Sequence, residues 1–276
     1  MIIKSDEQNK SKKLKDTRSH LLIRIHAAQR LFMWHFLQER LELVLVSEHP
    51  KSGGTWFSQM LAEALEIPFP RNKRPRFESC LMHGHLMYHP NFKKIVGVVR
   101  DGRDIMVSAY YHSLFSNDRN SDTRVDYYRK KLMFDDFDNI KANLPEFIRF
   151  MFQDYAKGYT HFNWSDFVNG YIDNENAFIV KYEDLLIDAV PSLTGAIKFL
   201  GKEAVSDQRL KEVEKLFSFR RLSKRKPGQE NTNSFLRKGI AGDWKNHFSQ
   251  EACEAFHEFG GEELIALGYE KDDLWF

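Results

Sequence analysis

The chain has 276 residues, enough for one α/β domain with a substantial core or two small domains. With 42% hydrophobic and 29% charged residues it reads as globular, and a net charge of +2 argues against nucleic acid or a membrane as the main partner. Cys80 and Cys253, outside any CxxC or His-rich spacing, support neither a disulfide framework nor a zinc site and fit a reducing, cytoplasmic setting.

Residues 1–20 form a polar, basic extension carrying Lys4, Lys10, Lys12, Lys13, Lys15 and Arg18, without the apolar centre of a secretory signal. Its plain reading is a solvated tail, with peripheral attachment through the amphipathic stretch Leu21–Phe36 as the alternative. Residues 21–276 are expected to form a single domain, since no repeat, no low-complexity linker and no run of the ~18 apolar residues of a membrane span interrupts them. Three apolar runs, Leu43–Val46, Ile95–Val99 and Ala177–Val180, predict buried strands. Helical spacing follows each, at Thr55–Leu65, Asp104–Phe115 and Val190–Leu200, and recurs at Pro145–Tyr159 and Gln250–Leu267. This alternation predicts an α/β fold with a central parallel sheet flanked by helices. Its ligand belongs at the carboxyl ends of the strands.

Between the first strand and its helix lies Glu48-His49-Pro50-Lys51-Ser52-Gly53-Gly54-Thr55-Trp56. Two glycines let the backbone curl its N–H groups into one concavity, and the helix start adds positive potential. Lys51 supplies a mobile cation, Ser52 and Thr55 hydroxyl donors. The loop is P-loop-like and phosphate-binding in character, but Lys51 precedes both glycines, so it is not a Walker A sequence. Alone it reads equally as a structural turn. The second strand runs into Arg100-Asp101-Gly102-Arg103-Asp104, with Ser108 about two turns into the helix. Arg100 and Ser108 can close on one phosphate, although such a cluster also serves as a helix cap with ion pairs. Further on, Arg237-Lys238-Gly239 suits a backbone that wraps a phosphate, or a solvated basic turn.

Taken together, Pro-Lys-Ser-Gly-x-Thr-Trp, Arg-Asp-x-Arg-Asp-x-x-Val-Ser-x-Tyr-Tyr and Arg-Lys-Gly-x-x-Gly-Asp-Trp-Lys-Asn-x-Phe resemble, in order, three segments of the sulfotransferases that use 3′-phosphoadenosine-5′-phosphosulfate (PAPS). The resemblance covers roughly residues 42–268. It implies transfer of a sulfuryl group from PAPS to a hydroxyl, or an amine, of a small metabolite or carbohydrate. Adenosine 3′,5′-bisphosphate is then the product, and no metal is required. It implies that Lys51, with Ser52, Gly53, Gly54 and Thr55, holds the 5′-phosphate and the leaving oxygen. Trp56 and Phe219 would sandwich the adenine, with Tyr182 reaching it, while Arg100, Ser108, Arg237, Lys238 and Gly239 grip the 3′-phosphate.

The family's cytosolic branch takes its general base from a Lys-Thr-His-Leu segment, which corresponds here to Met82-His83-Gly84-His85-Leu86. His85 is the best match. The family's Lys is replaced by His83 and the connection to Arg100 is short, so His83 stays a candidate, with Glu48 and His49 ranked below. Aromatics between Tyr110 and Trp164 (Phe115, Tyr127, Tyr128, Phe134, Phe137, Phe147, Phe150, Tyr155) are expected to wall and cover the acceptor pocket. The family's dimer motif survives only as Lys245…Ser249-Gln250…Glu254, which leaves the oligomeric state open. Two rival readings are a P-loop kinase or NTPase and a non-catalytic nucleotide-binding module. The position of Lys51 and the lack of a recognised acid ending a strand count against the first.

Overall fold

Four short apolar segments pair side by side in a parallel sheet: β1 Val44–Glu48, β2 Leu81–Gly84, β3 Ile95–Val99 and β4 Ala177–Lys181, in the order β2-β1-β3-β4. The computed structural model describes residues 20–71, 75–117, 122–153, 160–232, 234 and 236–276. Register is set by Val44 opposite Leu81, Leu45 opposite Ile95 and Ile95 opposite Ala177. Every residue of β1 and β3 is buried, because a parallel sheet has helices over both faces.

The period of two along each strand divides the core. Val44, Val46, Val96 and Val98 face a layer built with α2 Gly54–Ala64, α8 Ala189–Phe199 and α9 Asp207–Leu216. Leu45, Ile95 and Val99 face the other layer, with α3 Gly102–Leu114, α5 Ile140–Gln153, α6 Trp164–Tyr171 and α11 Gln250–Ala266. The remaining helices are α1 His20–Phe36, α4 Asp122–Leu132, α7 Tyr182–Ile187 and α10 Phe219–Ser223, with a 3-10 turn at Asp243–Asn246.

The three expected strands and the helices after them are present within one or two residues. β2 was not expected. Its apolar core is only Leu81 and Met82, too short for periodicity to register, and it carries His83. The helix expected over Pro145–Tyr159 begins earlier, at Ile140, and residues 154–159, with Tyr155, lie outside the described residues, as does the basic extension up to residue 19. Of the aromatics expected to wall an acceptor pocket, Tyr128 and Phe147 are instead buried in the core. Phe115, Tyr127, Phe134, Phe137 and Phe150 pack partly buried against it. Side chains that bury this much apolar area are drawn first into the layer between α3, α4 and α5.

The order β2-β1-β3-β4 makes the chain leave β1 and β3 in opposite directions, so a crevice opens at their carboxyl ends. α3 starts in this crevice at Gly102, where a Cβ would lie 2.4 Å from Phe256 Cζ and 2.8 Å from Trp164 Cδ2. Gly102→Ala therefore forces overpacking, and should lower unfolding free energy by about 1–3 kcal/mol. The check is a lower denaturant midpoint at unchanged slope.

Candidate active site

β1 ends at Glu48 and the chain turns at once, with the Ser52 N–H donating to the His49 carbonyl at 3.1 Å. Lys51 and Gly53 both adopt left-handed backbone, at φ 77° and 90°. Gly53 is required twice over, since a Cβ there would also sit 2.5 Å from Tyr182 Cδ2. At Lys51, which is not glycine, the same conformation stores strain of roughly 1–2 kcal/mol and holds the ammonium stem at the tip of the turn. α2 then begins, directing its positive end at the crevice.

Arg100 follows β3. Its Nη2 lies 3.3 Å from Asp104 Oδ2 and 3.2 Å from the Ile240 carbonyl, and its guanidinium stands 4.4 Å over the Tyr182 ring. Its Nε is buried with no partner. Arg103, by contrast, is absorbed in the fold: Asp101 and Glu270 pair with it, and Trp244 and Trp275 stack on it at 3.9 and 4.6 Å. Asp101 also caps α3 through the Arg103 N–H, at 2.9 Å.

The third wall arrives from far along the chain. Gly239, at φ 66°, lies so close to Phe219 that a Cβ would come within 2.3 Å of the ring. Arg237 Nη2 and Lys238 Nζ bind the two oxygens of Asp243 at 2.5 and 2.6 Å. Burial opposes the Asp243 charge, but bonds from His247, Lys238, Arg237 and Asn246 outweigh it and hold the carboxyl far below the usual range. Trp56 is fixed by its Nε1–H, which donates to the Phe217 carbonyl at 2.8 Å, and it meets Tyr182 edge-on at 5.8 Å.

These walls enclose a cleft of about 250 Å³ lined by Lys51, Gly53, Thr55, Trp56, Arg100, Ser108, Tyr182, Phe219, Arg237, Lys238 and Gly239. Two residues expected with them do not line it. Ser52 turns into the core, where its hydroxyl has no partner, and the Gly54 N–H is taken by Glu48 Oε2 at 2.5 Å. Lining residues not anticipated are Glu48 as a wall, Gln59, Leu186, Leu222, Leu236 and Ile240. The helical repeat offered a signal for some, because Gln59 and Leu186 stand one turn beyond Thr55 and Tyr182.

Glu48 also organises the histidines. His83 Nε2 lies 2.9 Å from its carboxylate Oε1, and His85 Nδ1 lies 3.1 Å from its backbone carbonyl, with the two rings 5.4 Å apart. Burial resists the carboxylate charge, but the bond and charge of His83, the charge of His85 and the Gly54 N–H bring its pKa down to about 2. His49 is buried and held neutral, with its pKa lowered to about 3 chiefly by that burial. His85 is exposed, whereas the His83 side chain is largely enclosed. Neither His83 nor His85 lines the cleft itself; both flank Glu48, which does. Among the described residues there is no cluster of three or more His, Cys, Asp or Glu suited to a metal ion, and no helix long and apolar enough to cross a membrane.

The family profile of the sulfotransferase domain matches residues 71–268, more than half of the chain. The chain belongs to the sulfotransferase family. Among its curated relatives, Sulfotransferase 2A6 of Mus musculus is 24% identical over 267 residues, covering 82% of this chain and 85% of that protein. Sulfotransferase 2B1 of Mus musculus is 26% identical over 263 residues, 80% of this chain and 71% of that one. Among solved structures, mouse sulfotransferase SULT7A1 complexed with PAP superposes with a TM-score of 0.62 at 18% identity, over 90% of this chain and 95% of that chain. Retinol dehydratase in complex with androsterone and inactive cofactor PAP gives a TM-score of 0.58 at 17% identity, over 87% and 85% of the two chains. These similarities agree on the α/β fold.

In this sulfotransferase Glu48 ends β1, so a strand does end in an acid, and its carboxylate is committed to Gly54 and His83. A carboxyl depressed in the folded state contributes stability above its unfolded pKa of about 4.5, and that contribution is lost as pH falls toward 2. Glu48→Gln should be less stable than the parent at pH 7 by about 1–3 kcal/mol, with the gap shrinking between pH 4.5 and 2. Urea unfolding at a series of pH values measures this; a gap independent of pH would reject the assignment.

Proposed function

We propose that this sulfotransferase moves the sulfuryl group of PAPS to a hydroxyl of a small-molecule or carbohydrate acceptor, in the cytoplasm. The observation that carries this reading is the cleft. Eleven of the thirteen residues expected at the nucleotide come together there from five separate stretches of the chain. The donor set suits a doubly phosphorylated nucleotide, with Lys51 and Thr55 at one end and Arg100, Ser108, Arg237 and Lys238 at the other. The buried, unpartnered Nε of Arg100 leaves a donor for an anion. Trp56, Tyr182 and Phe219 line the apolar part where a base would stack. Free, buried Cys80 and Cys253 suit a reducing compartment.

When bound, the nucleotide supplies an activated sulfuryl group and a phosphate leaving group, and the transfer is in line. Lys51 meets the negative charge that gathers on the departing oxygen. His85 donates its Nδ1–H to the Glu48 carbonyl, which leaves the Nε2 lone pair to accept the acceptor's proton as the new S–O bond forms. His83, hydrogen-bonded to the Glu48 carboxylate, positions that wall of the site.

Adenosine 3′,5′-bisphosphate should raise the melting temperature without magnesium, and by more than Mg-ATP. Arg100→Ala should weaken that nucleotide about 10- to 100-fold, the worth of a charge-assisted bond, and leave adenosine 5′-phosphosulfate nearly unaffected. Equal losses for both nucleotides, or better stabilisation by Mg-ATP, would reject the reading.

His85→Ala should keep nucleotide affinity and cut turnover about 10²- to 10⁴-fold, with His83→Ala milder. A collapse of turnover confined to His83→Ala would move the base by two residues. Transfer from labelled PAPS to a panel of phenols, alcohols and sugars supplies the assay.

A further inference from the structure

α1 is held to the rest of the molecule by one face. Met33 and Trp34 are buried, Trp34 meets Phe92 edge-on at 5.7 Å, and its ring lies 3.3 Å from where a Cβ on Gly84 of β2 would stand. The opposite face repeats with helical period through Leu21, Ile25, Ala28, Phe32 and Phe36. The large members of this stripe are exposed, at 68% for Leu21, 44% for Ile25, 50% for Phe32 and 67% for Phe36. Phe32 and Phe36 touch each other, with ring centroids 5.3 Å apart, rather than the core. Leu31 and Leu22 widen the apolar surface on its flanks.

Charge is distributed to match. Residues 1–36 hold eight Lys and Arg against three acids, a net +5, while the other 33 basic and 36 acidic residues leave −3. No acid occurs within α1 itself. An exposed apolar stripe beside a basic segment is the combination that binds a lipid interface: apolar side chains enter the acyl boundary while Lys and Arg meet anionic headgroups. At 17 residues α1 is about 25 Å long and is not apolar enough to cross a bilayer, so it would lie in the interface plane. A second copy of the chain is a poorer occupant, since pairing two such faces sets two segments of net +5 side by side.

We propose that α1, together with the basic segment before it, docks this protein on an anionic lipid surface. Full-length protein is mixed with vesicles of phosphatidylcholine containing about 30% phosphatidylserine, or of phosphatidylcholine alone, and sedimented. Binding to the anionic vesicles should be at least about tenfold stronger than to the neutral ones and should weaken at about 0.5 M salt. Phe32→Ser with Phe36→Ser should reduce it about tenfold or more, with the melting temperature unchanged because both rings are exposed. Lys10→Glu, Lys12→Glu, Lys13→Glu and Lys15→Glu combined should abolish the preference for anionic vesicles. The proposal is overturned if the parent binds neither vesicle, or if neither set of substitutions changes binding. It is equally overturned if the parent is a dimer in solution at a concentration where the double Phe variant is a monomer, which would assign the stripe to a second copy.

Discussion

The carboxylate of Asp104 is the tie on which the cleft depends. It is 1% exposed and lies in the first turn of α3, where it accepts the N–H groups of Gly242 and Trp244 at 2.8 and 2.9 Å as well as a bond from Arg100. A buried carboxylate must find donors for its oxygens, and bonds to charged groups are worth about 1.5–3 kcal/mol each. Two of these donors come from a segment some 140 residues away, so Asp104, together with the Arg100 bond to the Ile240 carbonyl, fixes the Arg237–Ile240 wall to the β3–α3 junction. Glu183 acts similarly at the end of β4, accepting the Asp101 N–H at 3.0 Å and the Tyr269 hydroxyl at 2.8 Å. Removing either acid would leave donors buried and unpaired on two elements at once.

Buried acids also explain how a cleft with Arg100, Arg237 and Lys238 is stable as a fold. Like charges this close repel, and burial adds a desolvation cost. Asp104 neutralises Arg100, and Asp243 takes both Arg237 and Lys238. Each cation is thus held in a defined place while keeping further donors available. Side chains fixed in this way would meet an anion with little rearrangement, which would lower the cost of ordering them on association. Glu48 plays the corresponding part at the other end, joining the start of α2 to His83 and, through its backbone, to His85.

Where sequence and structure part company, the cause is packing. The motif around Lys51 is correct in position, yet Ser52 faces inward and Gly54 spends its N–H on Glu48, because a buried carboxylate next to a helix start takes the nearest unsatisfied amide. The aromatics after α3 look like a pocket lining when read in a row. For Tyr128 and Phe147 the three-dimensional neighbours decide otherwise, and both fill the space between helices.

By itself the sequence determined the class of fold, three of the four strands, the family and the cations and rings that gather at the cleft. These follow from local signals: apolar runs of strand length, glycines where the backbone must adopt positive φ, and three motifs whose residue types match phosphate chemistry. Only the tertiary structure decided that β2 exists and carries His83, that Glu48 holds both candidate histidines, and that Asp104 and Asp243 lock the Arg237–Ile240 segment over the cleft. The pairing of β2 and the bonds of Glu48 and Asp104 have no periodicity or spacing to read, because each joins residues that are distant in the chain and is selected by the need to pair every buried polar group.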